Sequence, residues 1–254
     1  TLPGDVKNIL ETFTKAGFQI YIIGGAVRNL LLSKEIKDWD FTTDAKPEEI
    51  LKLLPNGFYN NIFGTVGVLR SDLVKNEIFE ITTMRKEGKY KDFRHPDKVL
   101  WTNKIEEDLA RRDFTINAIA LGDRIIDPFN GQDDIKNKII RAVGDPNQRF
   151  EEDALRLMRA VRISAELNFD IEKDTFEALQ KNANLIEEVS WERIRNELFK
   201  LLASMYGYMG IVKLREAGIL QIILPELEKC FNIIQEGPKH DRVYDIGEHS
   251  LLSL

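Results

Sequence analysis

The stretch Gly24-Gly25-Ala26-Val27-Arg28-Asn29-Leu30-Leu31-Leu32-Ser33-Lys34-Glu35-Ile36-Lys37-Asp38-Trp39-Asp40-Phe41-Thr42 decides the fold of this chain. An apolar run, Tyr21, Ile22 and Ile23, leads into the two glycines, and an apolar-periodic segment follows them. The order predicts a strand, a glycine turn, a helix and a second strand that carries Asp38 and Asp40. On a strand, residues i and i+2 share a face, so these two carboxylates are expected to project together. Neighbouring carboxylates repel each other unless a cation lies between them, and hard oxygen donors suit Mg²⁺. The turn at Gly24 and Gly25, opening a helix, offers backbone N–H groups to a phosphate.

The bulk composition sets the frame. The 254 residues allow two domains or one large one. With 31% charged and 43% hydrophobic residues the chain has an ordinary globular composition. It has no run of roughly 18 apolar residues that could span a bilayer, and the opening residues Thr1–Asp5 lack a signal-peptide profile. Cys230 is the single cysteine, so no internal disulfide can form and a cytoplasmic location is expected. The net charge of −6 would repel phosphate, so contact with nucleic acid must rest on a local basic patch.

Working outward, Asp5–Ala16 predicts an amphipathic helix and Phe18–Ile23 a strand. Pro47–Leu54 predicts a short helix. Asn61–Leu69 and Glu77–Met84 predict strands on either side of a turn near Ser71 and Asp72. Lys86–Asp97, charged and punctuated by Gly88 and Pro96, predicts a mobile loop. Glu106–Leu121 has a helical pattern broken near Asp113. Arg124–Gly144 predicts two short strands joined by Asp127-Pro128-Phe129-Asn130-Gly131. From Asn147 to Leu224 the patterns are helical, without a convincing strand. The expected class is α+β: a mixed-sheet head over 1–143, an all-helical neck over 144–225, and the start of a helical body over 226–254. The apolar pattern at Leu251, Leu252 and Leu254 has no capping residue, which predicts that the natural chain continues.

Three groups of residues point to chemistry. Asp38 and Asp40 come first, with Glu80 as a candidate third carboxylate; Glu80 is equally well read as the partner of Arg28 or Arg85. Such a set fits two-metal activation of a hydroxyl and stabilisation of a leaving oxygen. In the second group, Arg112, Asp113 and Asn117 combine a phosphate-binding cation with groups able to hydrogen-bond a ribose hydroxyl, although taken alone the motif reads better as a helix surface with Asp113 as its N-cap. The third group is Asp153 and Arg156, continued by Arg159 and Arg162 along a helix. It reads either as a salt-bridged surface or as a base reader. A carboxylate accepts from the exocyclic amine of C or A and a guanidinium donates to the ring, whereas G and U present a carbonyl at that position. His95, His240 and His249 have no metal-ligand spacing. The G-x-x-x-x-G-K-[ST] and G-x-G-x-x-G loops are both absent from the sequence.

In order, Ile23–Arg28, Asp38-Trp39-Asp40, Arg111–Ala118, Asp127-Pro128 with Gly131, Arg149-Phe150 with Glu152, Asp153 and Arg156, and Trp191–Ile194 resemble the nucleotidyltransferases that build the CCA end of tRNA. That class is shared with bacterial poly(A) polymerases. The resemblance implies catalytic Mg²⁺ on Asp38 and Asp40. It implies a nucleotide site that includes Gly24, Gly25, Arg28, Arg112, Asp113 and Asn117. It also implies a protein template for C and A at Asp153 and Arg156, with Arg159 and Arg162 contacting the nucleotide. The implied substrates are ATP, CTP and the tRNA 3′ end. Gly64-Thr65-Val66 resembles tRNA-directed members, since poly(A) polymerases tend to carry a basic pair there. Arg85–Arg94 resembles the loop needed to add the final A. A-only addition or poly(A) synthesis is the alternative, and a non-catalytic RNA-binding or HD-regulatory protein is a remote one. Lys239–Leu254 resembles the entry to an HD-type domain, with His240-Asp241 too early to be its metal pair.

Overall fold

A computed structural model describes residues 2–61, 64–70, 78–88, 97–233 and 245–252. The chain divides into two compact units, one built from residues 1–89 and 96–137 and the other from 90–95 and 138–254. The division between Asn137 and Lys138 falls ahead of the head–neck boundary near residue 144 that composition points to.

The first unit begins with α1 (Gly4–Lys15), whose Val6, Ile9 and Phe13 are buried on one stripe. Next come β1 (Ile20–Ile23), α2 (Gly25–Leu31), β2 (Asp40–Thr43) and α3 (Pro47–Leu53). Proline stands at the first helical turn of α3, where its missing N–H is not needed. β3 (Gly57–Asn61), β4 (Thr65–Leu69) and β5 (Ile78–Thr83) follow, then β6 (Arg85–Glu87), β7 (Val99–Trp101) and α4 (Ile105–Ala110). A 3-10 turn at Thr115–Asn117 leads to β8 (Ala120–Leu121), β9 (Ile125–Ile126) and α5 (Gly131–Asn137). Seven of these strands form one sheet in the order β3-β4-β5-β2-β1-β8-β9. The β2–β5 pair is parallel and its neighbours are antiparallel, so the sheet is mixed. Phe13, Ile22, Phe41, Ile81, Leu109, Ile116 and Ile119 are buried in its core.

Several elements depart from the sequence expectation, each for a local reason. Asp38 lies just ahead of β2 rather than on it, although the Trp39 carbonyl still accepts from the Glu80 N–H. Where one strand is expected over Asn61–Leu69, Asn61 ends β3 and Thr65–Leu69 forms its antiparallel partner β4, with Gly64 ahead of it at φ +85°. The helical pattern after Glu106 stops at Ala110, and Ala120–Leu121 is a strand paired with β1. Between Ile126 and Ile139 the chain forms α5, because Asp127 accepts from the Gly131 and Gln132 N–H groups and nucleates a helix where a turn alone was expected. β6 and β7 pair as a ribbon, Arg85 opposite Trp101, at the ends of the expected loop. The middle of that loop, and the expected turn at Ser71 and Asp72, lie outside the described residues.

The second unit opens with β10 (Ile139–Ile140) and is mainly helical: α6 (Pro146–Glu152), α7 (Leu155–Leu167), α8 (Lys173–Lys181), α9 (Trp191–Leu202) and α10 (Gly207–Glu216). Short helices α11 (Leu220–Ile223), α12 (Pro225–Glu228) and α13 (Ile246–Leu252) follow. One strand was not expected in this half: β11 (Asp170–Ile171), which pairs in parallel with β10. It is only two residues long, too short to leave a period in the sequence. α7 packs against α9 and α10, and Leu157, Met158 and Val161 of α7, Leu201 of α9, and Ile211 and Leu214 of α10 are all buried. α7 stops at Asn168, which is in the left-handed conformation with φ +56°.

Candidate active site

The ends of β1, β2, β4 and β5 line a cleft of about 260 Å³ in the first unit. Asp40 opens β2 and lies in register with Glu80 of the parallel neighbour β5, so both carboxylates stand on one face at adjacent strand positions. Thr65 and Thr82, whose hydroxyls lie 3.0 Å apart, line the same cleft. Arg85, Arg111 and Arg112 line it as well. Two acids and three guanidinia therefore share one small solvent-open space. Asp38 is exposed and Trp39 buried, which keeps the outward–inward alternation running into Asp40.

Gly24 is the hinge of this arrangement. Its φ of +66° and ψ of −136° lie in a region only glycine adopts comfortably. A β-carbon there would sit 3.4 Å from Nη1 of Arg112 and 3.8 Å from Oδ2 of Asp40. The turn thus brings backbone between a cation and a carboxylate. Arg112 donates to Asp108 at 3.2 Å, while its buried Nε has no hydrogen-bond partner among the described residues. A buried unmet donor is costly, and the guanidinium that carries it lines the cleft.

Beside the cleft, Arg28 of α2 donates to Oδ1 of Asn117 at 2.8 Å, and Asn117 donates to Oδ1 of Asp113 at 3.1 Å. Asp113 also accepts from the Phe114 N–H at 2.8 Å, so it fixes the 3-10 turn that carries Asn117 rather than capping a longer helix. Asp127 and Gly131 act behind this turn. A β-carbon on Gly131 would lie 2.2 Å from the Thr115 carbonyl oxygen, so only glycine allows α5 to approach. Thr115 in turn donates to Asp134 of α5 at 2.6 Å.

The third predicted group lies in the second unit and is arranged differently from the expected helix row. Asp153 ends α6 in an extended conformation, and its carboxylate accepts from Arg193 at 3.1 and 3.2 Å. Arg156 is buried, with Nη1 donating to Glu152 at 2.8 Å and to the Arg149 carbonyl at 3.0 Å. Arg162 is bound to Glu197 at 2.5 Å and to Glu166 at 2.6 Å, which ties α7 to α9. Arg159 is half-buried on α7.

Sequence reading did not assign Asp108, Arg111, Glu87 or Arg193 to the site. For Asp108 the signal was present, because it precedes Arg111 by three residues and Arg112 by four, the spacing of helix-face partners. No group of three His, Cys, Asp or Glu residues among the described residues is arranged to hold a metal ion, so Glu80 does not complete a protein-only metal cage with Asp38 and Asp40. The donors present still fit Mg²⁺, which is ordinarily held by one or two carboxylates and completed by water and substrate phosphate oxygens.

Residues 20–141 match the model of the poly A polymerase head domain, and residues 168–231 match that of the probable RNA- and SrmB-binding site of polymerase A. The CCA-adding enzyme of Lactobacillus helveticus is 49% identical over 196 residues, an alignment covering 76% of this chain and 48% of that protein. A crystal structure of the Bacillus stearothermophilus CCA-adding enzyme in complex with CTP is 38% identical, with a TM-score of 0.76, covering 86% of this chain and 53% of that one. A tRNA nucleotidyltransferase complexed with a primer tRNA and an incoming ATP analog is 30% identical with a TM-score of 0.72, covering 91% and 64%. The chain spans about half the length of the curated relatives it matches. With the mixed-sheet head, the glycine turn and the ordered motifs in place, the chain belongs to the nucleotidyltransferase family of CCA-adding enzymes and bacterial poly(A) polymerases.

Proposed function

We propose that this protein transfers CMP and AMP from CTP and ATP to the 3′ end of tRNA, choosing the nucleotide without a nucleic-acid template. The observation that carries the reading is the register of Asp40 with Glu80 in a cleft also lined by Arg85, Arg111 and Arg112. The carboxylates suit a divalent cation, and the guanidinia suit a triphosphate. The primer hydroxyl attacks the α-phosphorus, the bond to the bridging oxygen breaks, and pyrophosphate leaves. Asp38 and Asp40 would hold Mg²⁺, with Glu80 beside them. When bound, Mg²⁺ lowers the pKa of the attacking hydroxyl and offsets charge on the phosphoryl oxygens. Arg112, at the cleft wall, binds phosphate oxygens, and Asn117, held by Arg28 and Asp113, orients the ribose.

Base choice is assigned to the second unit. Arg193 fixes the Asp153 carboxylate, and Glu152 with the Arg149 carbonyl fixes the Arg156 guanidinium. A carboxylate and a guanidinium held in set directions accept from the amine of C or A and donate to its ring, and they leave G or U with unmatched groups. Arg162, bound by two glutamates, has a structural part in this scheme.

Poly(A) synthesis is the nearest rival. Gly64 weighs against it: at φ +85°, with a Trp101 ring carbon only 2.5 Å from where a β-carbon would stand, the position has no room for the basic side chain that the resemblance associates with poly(A) polymerases. Supplying tRNA that lacks one, two or three terminal nucleotides, with each NTP in turn, tests the reading. Addition limited to completing CCA supports it. Continued A addition on RNA ending in A favours the rival.

A further inference from the structure

We infer that Asp108 is the positioning residue for the phosphate-binding arginines, holding Arg111 and Arg112 at the cleft and joining them to the root of the β6–β7 ribbon. This rests on the triphosphate reading of the cleft. The side chain of Asp108 is wholly buried. Its Oδ1 accepts from Nε and Nη2 of Arg111 at 3.0 and 2.8 Å and from the Arg85 backbone N–H at 3.2 Å. Its Oδ2 accepts from Nη2 of Arg112 at 3.2 Å. Glu87, also buried, binds the other side of the cluster, accepting from Arg85 at 2.7 Å and from Arg111 at 3.2 Å.

Three guanidinia beside two buried carboxylates leave a net positive cluster facing Asp40 and Glu80. Without a buried anion beneath them, like-charged guanidinia would repel each other and turn toward water. Asp108 does not itself line the cleft, whereas Arg111 and Arg112 do, so its hydrogen bonds fix the direction of both guanidinia from outside the cleft. A carboxylate near an anion site should weaken anion binding by simple charge. A carboxylate that sets guanidinium geometry should strengthen it. The two accounts therefore predict opposite signs.

The test measures tripolyphosphate binding by titration calorimetry, and CTP kinetics, for wild type, Asp108→Asn, Asp108→Glu and Arg112→Ala. We expect both Asp108 variants to bind tripolyphosphate about tenfold more weakly, in line with the loss of one charge-assisted contact. KM for CTP should rise by a similar factor while kcat at saturating CTP stays within about twofold. Equal or tighter binding by folded Asp108→Asn overturns the inference, as does a fall in kcat with KM unchanged. If the Asn variant loses its helical circular dichroism, the Glu variant decides by the same criteria. Failure of wild type to bind tripolyphosphate, or undiminished binding by Arg112→Ala, instead overturns the triphosphate reading on which this rests.

Discussion

Asp40 on β2 and Glu80 on β5 are register partners across the parallel pair of the central sheet. Strand pairing alone brings residues forty positions apart to one face of a cleft. The backbone ladder fixes their spacing, so their alignment does not depend on loop conformation.

Gly24→Ala should impair the enzyme more than it impairs the fold. The substituted residue must adopt φ +66° at a cost of about 1–3 kcal/mol. Its methyl would stand in ordinary contact with Arg112 and Asp40, so the cost comes from the backbone. We expect nucleotide incorporation to fall about 10²-fold, as for a catalytic group displaced by around an ångström. Stopped-time incorporation assays alongside thermal melts check this, and a variant with normal turnover would show that the turn geometry is dispensable.

Gly131→Ala tests the packing behind the 3-10 turn. A β-carbon 2.2 Å from the Thr115 carbonyl forces α5 away. Overpacking of this kind costs about 1–3 kcal/mol. A lower urea midpoint together with a raised KM is expected, because Asn117 rides on the displaced turn. An unchanged midpoint would contradict the close approach.

The stability of the first unit should depend on acid through Asp108. Burial opposes its ionisation, but Arg111 and Arg112, with the Arg85 N–H, outweigh burial and hold its pKa below the ordinary carboxylate value. A folded-state pKa below the unfolded one gives stabilisation that is complete above about pH 4 and is lost as pH falls through the folded value. Melting temperature should therefore drop on acidification below about pH 4, less steeply in Asp108→Asn. The same slope in the variant would show that other carboxylates carry the effect.

Arg193→Ala should loosen nucleotide choice. Arg193 is the cation that fixes the Asp153 carboxylate, and its loss frees the acceptor that discriminates C and A. Rejection of GTP and UTP should weaken by about tenfold, the effect of one misplaced polar contact. Unchanged rejection would remove Asp153 from the template.

Much of this arrangement is legible in the sequence. The apolar run before Gly24 and the segments on either side of it carry the strand–turn–helix–strand order, because those patterns reflect backbone period directly, although the second strand starts at Asp40 and leaves Asp38 ahead of it. α5 was not legible, since Asp127-Pro128-Phe129-Asn130-Gly131 signals a turn whether or not a capped helix follows it. β11 was hidden by its length. Asp153 and Arg156 were read as helix neighbours, yet α6 ends at Glu152, and the partner of Asp153 is Arg193, forty residues on. Spacing rules cannot see a contact between distant segments. Glu80 reads in the sequence equally as a third carboxylate or as an ion-pair partner of Arg28 or Arg85, and the parallel register places it beside Asp40.

The central claim is that Asp40 supports metal-dependent nucleotidyl transfer in this cleft. The most direct measurement follows labelled CTP and ATP incorporation into tRNA lacking its three terminal nucleotides, with Mg²⁺, by wild type and by Asp40→Ala of matching circular dichroism. We predict ordered addition of C, C and A by wild type, and a loss of at least about 10³-fold in the variant. Near-normal incorporation by Asp40→Ala would contradict the account.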